Sequence, residues 1–463
     1  MSAEQHLMAP VNSFVRQEGL SRVIGAAGKV RISLASEGKA NGQHVYVEPR
    51  RLTDGEQYGM NPADNLIIEG DNLQVMISLL PRYEGKVQII YIDPPYNTGQ
   101  RDFRYHDNWN DDDGPHTKWL KFMSPRLKLL RRLLSADGVI FVSIDDRELF
   151  RLGLLMDELF GQQNKVGIFV WHSKRGGGSD GEHLVTEHEY ILCYARNVAC
   201  CKIKMREIEA QELDRVDEHG PYRRGRELNK WGAASSRWDR EKMWFPIPGP
   251  GGVEVWPIRN DGSEGRWRWG ARKLLSAVAA GDVEFEPRGD GTYIVYERIR
   301  TNEKRLVPYR SILTHVGTYA HGTKLLKEIM GGNPFKNPKP VDLVKYLIQL
   351  AGDDDCLVLD SFAGSGTTGH AVLAANHEDG GCRSFILIET GNGEDRFCTT
   401  LTVERMRRVI AGEWAVRERS AVQGKRRIKV PIEPLAGGFT FKRLSTEPDP
   451  EALFCLQRED ALI

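Results

Sequence analysis

The stretch CLVLDSFAGSGTTG, residues 356–369, decides the fold class of this chain. Its first four residues are apolar and predict a short buried strand. Glycines at 364, 366 and 369 follow, where the absence of a Cβ allows a sharp turn and a close approach of the backbone to a ligand. Residues 370–376 then predict a helix. A strand, a glycine turn and a helix in this order are typical of nucleotide-binding sites in α/β proteins.

An acidic residue in the right place strengthens this interpretation. Residues 385–388 (FILI) predict the next strand, and Glu389 follows it, twenty residues after Gly369. A carboxylate at that position suits the two hydroxyls of a ribose. The segment therefore predicts a site for a nucleoside cofactor.

Strands and helices alternate on both sides of this segment. We predict strands at residues 66–69, 87–92, 139–144, 166–171 and 190–194, and helices at residues 72–80, 119–134, 149–159, 340–350 and 402–410. Such alternation predicts a mostly parallel sheet that is covered on both faces.

A second distinctive loop, DPPYNTG at residues 93–99, follows the predicted strand 87–92. Pro94 and Pro95 fix φ and remove two backbone donors, so the loop presents carbonyl oxygens and the Asp93 carboxylate, with Tyr96 beside them. This combination suits a planar ligand whose amino group needs acceptors. Because ligands of open α/β sheets bind beyond the carboxyl ends of the strands, we expect the two loops on neighbouring central strands.

The character of the sequence changes between about residues 200 and 315. Short apolar pieces, prolines and glycines replace the alternation, which predicts a separate inserted domain. Six of the ten tryptophans fall here, with basic residues between them. These tryptophans are Trp231, Trp238, Trp244, Trp256, Trp267 and Trp269.

Composition excludes several classes of protein. None of the seven cysteines forms a C-x-x-C pair, so we predict reduced thiols rather than a disulfide framework or a zinc ribbon. No apolar run approaches the ~20 residues that cross a bilayer, and the N-terminus lacks the layout of a signal peptide. We therefore expect a cytoplasmic protein with no membrane partner. The formal net charge is zero, so the chain lacks the excess of basic residues that is frequent in proteins that bind nucleic acids. Contacts to nucleic-acid phosphates need only a local basic face, so this class of protein is not excluded.

Together the two loops resemble the amino-methyltransferases of DNA in the beta arrangement, which include the modification subunits of type III restriction systems. The catalytic motif of that family resembles DPPY and precedes a cofactor motif that resembles F-x-G-x-G, here residues 362–366, with a target-recognition domain between them. Residues 333–340 (NPFKNPKP), 69–71 (EGD) and 188–190 (HEY) resemble further family segments. The resemblance covers roughly residues 65–200 and 311–410.

The resemblance implies a Rossmann-like, S-adenosylmethionine-dependent methyltransferase fold. Its sheet would be doubly wound, mostly parallel, seven-stranded and circularly permuted, with an inserted β-rich target-recognition domain. The implied boundaries are an N-terminal extension (1–60), a catalytic half (61–200), the target-recognition domain (201–315), a cofactor-binding half (316–412) and a C-terminal extension (413–463).

The resemblance also implies a reaction, namely transfer of a methyl group from S-adenosylmethionine to N6 of adenine. The target base would have to be flipped out of the duplex, which costs a few kcal/mol. Asp93 and the carbonyl of Pro94 would accept the two N–H bonds of the amino group, with Pro95 stiffening the loop and Tyr96 stacking on the base. The arginines and tryptophans of the insert would read DNA, form the core of that domain, or do both.

Cofactor contacts are carried over residue by residue. Asp71 would meet the adenine amino group of the cofactor, Glu389 the ribose, and Asn337 and Lys339 the amino-acid end. The remaining implied contacts lie in the glycine segment and are Asp360, Phe362, Gly364, Gly366 and Thr367. No metal is expected, since the chemistry needs none and Asp111–Asp113 is interpreted as a solvated loop.

Several alternatives remain open. Aspartate at position 93 is typical of adenine enzymes in this family and serine is more frequent in cytosine-N4 enzymes, but the division is imperfect, so cytosine-N4 methylation is retained. An NAD-dependent oxidoreductase would explain the glycine segment but not Asp93–Tyr96. A non-catalytic DNA-binding subunit is the third alternative. The expected partners are duplex DNA, a second copy of the chain and a separate restriction subunit.

Overall fold

The computed structural model describes residues 30–33, 44–61, 64–98, 114–176, 183–208, 211–301, 305–391, 396–416, 418–423 and 426–450. Gly99, the loop at residues 111–113, most of the predicted N-terminal extension and residues 451–463 lie outside this part. The chain forms two compact units, one made of Met1–Lys204 with Tyr309–Ile463 and the other of Met205–Pro308.

The described part contains 23 strands and eight α-helices. The strands are β1 (Val30–Ser33), β2 (His44–Val47), β3 (Arg50–Leu52), β4 (Glu56–Gly59), β5 (Leu66–Glu69), β6 (Val87–Ile92), β7 (Leu134–Ile144), β8 (Lys165–His172), β9 (His188–Ala195), β10 (Arg206–Ile208), β11 (Arg215–Asp217), β12 (Gly220–Glu227), β13 (Ile247–Pro248), β14 (Glu254–Val255), β15 (Val283–Pro287), β16 (Tyr293–Ile299), β17 (Arg305–Val307), β18 (Ile312–Leu313), β19 (Leu357–Asp360), β20 (Ser384–Glu389), β21 (Glu418–Gln423), β22 (Arg426–Pro431) and β23 (Gly438–Pro448). The helices are α1 (Asn72–Tyr83), α2 (Pro115–Leu133), α3 (Leu149–Phe160), α4 (Ala271–Ala279), α5 (Tyr319–Met330), α6 (Val341–Ala351), α7 (Thr367–Asp379) and α8 (Glu404–Ala411), the last preceded by a π-helical segment, Cys398–Val403.

The first unit is built on one large sheet with the strand order β18-β8-β9-β7-β6-β19-β20-β5-β23-β3, in which β4 also pairs with β23. Its centre, from β7 through β6, β19 and β20 to β5, is parallel throughout. The predicted doubly wound, mostly parallel sheet is therefore confirmed. The strand that leads to Asp93, β6, precedes the strand that leads to the glycine segment, β19, along the chain. The predicted circular permutation, in which the catalytic half precedes the cofactor-binding half, is therefore confirmed as well.

The number of strands differs from the prediction. The sheet has eleven strands rather than seven. β23, from the segment predicted as a C-terminal extension, pairs in parallel with β5 and buries Phe439 and Phe441. It also pairs with β3 and β4, from the segment predicted as an N-terminal extension. These terminal segments contribute strands to the sheet because their apolar side chains complete the core at its edge.

The two faces of the sheet carry separate cores. Successive residues of a strand point to opposite faces, so Ile90 of β6 packs with α1, α2 and α3, whereas Ile89 packs with α6 and α7. Burial on both faces explains why β6 is a continuous apolar run rather than an alternating one. The predicted bounds of β6 are confirmed residue for residue, whereas β7 begins at Leu134, five residues before the predicted start of that strand at residue 139.

The second unit is β-rich, as the sequence predicts, with a sheet in the order β11-β12-β16-β15. Its tryptophans divide into three groups. Trp267 and Trp269 are buried in a core that includes Leu274 of α4, Trp231, Trp244 and Trp256 are half-buried, and Trp238 is 68% exposed. Two of these tryptophans therefore belong to the core of the unit, three are partly accessible, and Trp238 is the most exposed of the six.

The arginines of the second unit also divide by role. Arg266 donates to the Ala234 carbonyl (2.6 Å) and Arg268 to the Glu227 carbonyl (2.8 Å), so both hold backbone in place. Arg298 and Arg300 form ion pairs with Asp217, both at 2.7 Å. Most of the basic residues that the sequence offered as DNA contacts thus have structural partners.

None of the helices in the described ranges combines the length and the apolar character that a membrane-spanning helix needs.

Candidate active site

The two loops singled out in the sequence lie side by side at one edge of the central sheet. β6 and β19 pair in parallel, with Val358 opposite Ile89 and Leu359 opposite Ile90. Asp93 directly follows β6, and Asp360 is the last residue of β19. The expectation that the loops follow neighbouring central strands is confirmed.

Asp93 is held by hydrogen bonds on both of its oxygens. Oδ1 accepts the Tyr96 hydroxyl at 2.8 Å, and Oδ2 accepts the Lys339 ammonium at 2.6 Å. The Pro95 carbonyl accepts the indole N–H of Trp119 (2.6 Å), which ties the loop to α2. Since an ionised carboxylate has about four acceptor positions, Asp93 retains capacity for an incoming amino group.

A second carboxylate, Glu189 of β9, lies next to Asp93. Its oxygens accept the Tyr319 hydroxyl at 2.6 and 2.7 Å, and its Oε2 also lies 3.1 Å from the Tyr96 hydroxyl. Burial raises the pKa of Glu189. The Lys339 ammonium lies 5.1 Å from the ring centres of Tyr96 and Tyr319 and 5.9 Å from that of Trp171. The loop therefore opens onto a pocket of aromatic rings and two carboxylates.

The glycine segment is shaped by backbone conformations that favour glycine. Gly364 has φ +52° and Gly366 has φ +77°, and a Cβ at Gly364 would lie 3.1 Å from the ring of Phe335. The Gly364 N–H donates to Glu389 Oε2 at 2.6 Å, and the other Glu389 oxygen accepts the Thr390 N–H at 3.0 Å. Glu389 thus fixes the turn from the end of the neighbouring strand, β20.

Lys339 and Thr367 connect the two loops. The Thr367 hydroxyl donates to the Lys339 carbonyl (3.3 Å), while the Lys339 side chain reaches Asp93. Arg405, fully buried, donates to the Ser365 carbonyl at 3.1 Å and to Thr367 Oγ1 at 2.9 Å, and burial lowers its pKa to about 9. These hydrogen bonds and the continuous backbone of residues 364–367 therefore make the site one connected set.

The other predicted site residues lie around this set. Asp71 caps α1 through the Leu73 N–H (3.0 Å) and pairs with the buried Arg126 at 3.3 Å. Phe362 is buried, and its ring centre lies 6.0 Å from that of Phe122. Asn337 is exposed and lines a surface cavity that Tyr319 also lines. Of the predicted site residues, those that belong to the connected set are Asp93, Tyr96, Lys339, Gly364, Thr367 and Glu389.

Asp360 occupies an unusual environment at the start of the glycine segment. Its carboxylate accepts the Phe362 N–H (2.9 Å) and the Thr368 hydroxyl (2.5 Å). Burial raises the pKa of Asp360 from 3.8 to about 7. Between those values the unfolded chain releases a proton that the folded chain retains, so the stability contribution present at low pH is lost as pH rises to about 7.

This environment gives a prediction for Asp360→Asn. The amide oxygen can accept the Phe362 N–H and the amide NH2 can donate to the Thr368 hydroxyl oxygen, as a protonated carboxyl group would. We therefore expect the variant to melt higher than the wild type at pH 8 and at the same temperature at pH 4. Each kcal/mol regained should raise Tm by about 2–4 °C. Melting curves from pH 4 to 8 measure this, with Asp353→Asn, an exposed residue nearby, as the control. A Tm difference that does not change with pH would contradict it.

Some residues of the site were not identified, or were identified only in part, from the sequence. Glu189 was recognised only as part of the HEY segment, and Tyr319, Trp171 and Arg405 were not predicted at all. They come from β8, β9, α5 and α8, which the chain order separates widely from Asp93. Within the described ranges there is no cluster of three or more His, Cys, Asp or Glu residues that could hold a metal ion.

Comparisons with known proteins give a consistent result. Residues 87–396 match the N6/N4 methyltransferase family, described as DNA methylase. The chain is 33% identical over 391 residues to the EcoPI Mod subunit of a type III restriction-modification enzyme from Escherichia phage P1, covering 73% of this chain and 59% of that one. It is also 33% identical over 363 residues to the type II methyltransferase M.KpnI from Klebsiella pneumoniae, covering 73% and 84%.

Among solved structures, a complex of M1.HpyAVI with SAM aligns with 73% of this chain and 99% of its own length, with a TM-score of 0.34 and 14% sequence identity. The chain spans about three fifths of the length of the EcoPI Mod subunit and a larger share of M.KpnI.

Proposed function

The chain belongs to the DNA methylase family, and from this premise we propose that it transfers a methyl group from S-adenosylmethionine to N6 of adenine in duplex DNA. The observation that carries the proposal is the position of Asp93. Its carboxylate lies at the edge of the sheet beside the glycine segment, joined to it by Lys339 and Thr367. An amine acceptor and a nucleoside site are therefore neighbours.

The residues of the glycine segment fit this cofactor. Gly364 and Gly366 leave the backbone open where side chains would fill the space, and Glu389 offers a buried carboxylate to a ribose. Asp71, Phe362, Asp360 and Asn337 are proposed as further contacts. When bound, S-adenosylmethionine supplies an electrophilic methyl group.

The role of the chain's own residues is to orient the amine. The exocyclic nitrogen of adenine is a poor nucleophile because its lone pair is delocalised into the ring. Asp93 and the Pro94 carbonyl would accept its two N–H bonds and favour a pyramidal nitrogen. Tyr96 would stack on the base, and such positioning can account for much of the acceleration.

The test is direct. The protein is incubated with labelled S-adenosylmethionine and unmethylated, sequence-diverse duplex DNA, and the nucleosides are then separated by chromatography. N6-methyladenine supports the proposal. N4-methylcytosine would replace adenine with cytosine as the target, and the absence of label from any base would refute methyl transfer to DNA.

Trp238 is proposed as a DNA contact of the second unit. It is 68% exposed, and the guanidinium of Arg237 lies 4.3 Å from its ring centre. Arg237 is neutralised by Glu264 at 2.7 Å, but the neighbouring Arg240 and Lys242 are exposed. An exposed aromatic ring beside basic side chains suits stacking on a base or insertion between bases.

Trp238→Ala is therefore expected to weaken DNA binding about 5- to 150-fold, since base stacking is worth about 1–3 kcal/mol. Cofactor affinity should not change. Fluorescence anisotropy with labelled duplex measures the binding, and Val216→Ala, which alters a residue 78% exposed in the same unit, is the matched control. Equal affinity of the two variants for DNA would exclude Trp238 as a contact.

The partners are also part of the proposal. By analogy with the EcoPI Mod subunit, whose name places it in a restriction-modification enzyme, we propose that the chain works with a separate restriction subunit and as a homodimer. A DNA substrate would be met in the cytoplasm, which is the proposed location. Size-exclusion chromatography with light scattering tests the dimer, and a monomer at micromolar concentration would exclude it.

A further inference from the structure

Lys339 lies between the two carboxylates of the pocket. Its Nζ is 2.6 Å from Asp93 Oδ2 and 3.8 Å from Glu189 Oε2, and its side chain is 5% exposed. We propose that Lys339 is a positioning residue whose charge keeps Asp93 ionised beside Glu189. The inference rests on the proposed function, in which ionised Asp93 accepts the N–H bonds of the target amine.

The two carboxylates are close enough to need such a charge. The Tyr96 hydroxyl lies 2.8 Å from Asp93 Oδ1 and 3.1 Å from Glu189 Oε2. A hydroxyl has one proton and cannot satisfy both oxygens at once. Two carboxylates that share a site cannot both ionise freely, and without a cation they would hold a proton between them.

A shared proton would harm the reaction proposed above. Protonated Asp93 has an O–H donor on one oxygen, which would face the N–H donors of adenine instead of accepting from them. The acceptor role of Asp93 therefore depends on its being charged, and that charge must be stabilised within a partly buried pocket.

Several titratable groups of the described residues surround the two carboxylates. Those that interact electrostatically with Asp93 or Glu189 include Tyr91, Tyr96, Tyr319, Asp360 and Lys339. The tyrosines are neutral at ordinary pH, and Asp360 is either neutral or negative. Lys339 is the cation of this set.

The lysine is held in place by contacts of its own. Pro338 and Pro340 flank it and restrict its backbone, and its carbonyl accepts the Thr367 hydroxyl. Three aromatic rings within 6 Å of the ammonium compensate in part for its lost hydration. A buried ammonium needs such partners, and here they direct it toward Asp93.

This role differs from the one that the family resemblance implies, which is contact with the amino-acid end of the cofactor. The two roles predict different results for Lys339→Met, a neutral replacement of similar length. A charge needed at Asp93 affects the pH dependence of turnover, whereas a contact to the cofactor affects its dissociation constant at every pH.

The experiment measures kcat/KM of the full-length protein from pH 5.5 to 9.5, with cofactor affinity determined in parallel by calorimetry. An opposite charge at this distance shifts a carboxyl pKa by about 1–3 units. For Lys339→Met we expect the acid limb of the profile to move to higher pH by that amount. At the upper end of that range, activity at pH 5.5 should fall about tenfold or more relative to wild type. It should recover to within a few-fold of wild type at pH 9, with cofactor affinity unchanged within about threefold.

Two further variants test the cause. Lys339→Met combined with Glu189→Gln removes the competing carboxylate, so the acid limb should return toward its wild-type position. Lys339→Arg keeps the charge and should leave the limb in place. Lys345→Met is the matched control, because Lys345 also pairs with a carboxylate at 2.6 Å, that of Glu378, on the exposed side of α6; its profile should equal wild type.

The outcomes separate the possibilities. An acid limb that does not move in Lys339→Met, or that moves in Lys339→Arg, overturns the inference, as does a cofactor dissociation constant raised more than tenfold at every pH. If Lys339→Met does not fold, as judged by its melting curve, the inference is decided by the pH at which the acid limb of kcat/KM lies in Lys339→Arg. Failure of the wild-type protein to methylate DNA would instead refute the proposed function.

Discussion

Asp93→Ala is expected to lower the rate of methyl transfer by about 10²–10³-fold while cofactor affinity stays within a few-fold of wild type. Removal of one preorganised polar group that acts on the reacting centre typically has an effect of that size. Asp93 qualifies because its carboxylate directly follows β6 and is held from both sides by Tyr96 and Lys339. Single-turnover kinetics with labelled S-adenosylmethionine measures the loss.

A neighbouring aspartate provides the control for that result. Asp145 follows β7 as Asp93 follows β6, but its carboxylate pairs with Arg147. Asp145→Ala should therefore retain most of the turnover. Equal single-turnover rates in Asp93→Ala and wild type would contradict the catalytic assignment, and loss of cofactor binding in Asp93→Ala would point to damage of the fold.

Glu389→Ala is expected to weaken S-adenosylmethionine binding about 10- to 100-fold. A hydrogen bond to a charged group is worth about 1.5–3 kcal/mol, and each 1.4 kcal/mol is a factor of ten in affinity. In addition, Glu389 holds the Gly364 N–H at 2.6 Å, so the variant also releases the turn of the glycine segment. Calorimetry of the cofactor with the variant measures the change.

Glu389→Gln separates the two contributions. The amide oxygen can still accept the Gly364 N–H, so this variant should keep the turn but lose the charge offered to the ribose, and its affinity should fall between those of wild type and Glu389→Ala. Glu378→Gln, which alters an exposed carboxylate on α7, is the control. Unchanged affinity in Glu389→Ala would remove Glu389 from the cofactor site.

The sequence was most informative where one local pattern has one structural consequence. Residues 87–92 are apolar at every position but Gln88 and form β6 with the predicted bounds, because burial on both faces requires such a run. Residues 364–366 predicted a tight turn, and Gly364 and Gly366 adopt positive φ. The parallel pairing of β6 with β19 was expected from the rule that ligands of open α/β sheets bind beyond the carboxyl ends of neighbouring strands.

The sequence was less informative about the edge of the sheet and about the second unit. β23 lies far along the chain from its partner β5, and no local feature of residues 438–448 indicates which strand they will join. The same limit applied to the tryptophans of the insert. Trp238 and Trp267 both follow an arginine in the sequence, yet one is 68% exposed and the other fully buried.

The sequence by itself determined the doubly wound sheet, the two loops at the ends of neighbouring strands and the family to which they belong. Periodicity, proline and glycine act over a few residues, so these features are encoded locally. Only the tertiary structure decided what surrounds Asp93. Lys339 and Glu189 reach it from segments 246 and 96 residues away, and whether a lysine contacts a cofactor or a catalytic carboxylate depends on distances that arise only when the sheet and its helices have packed.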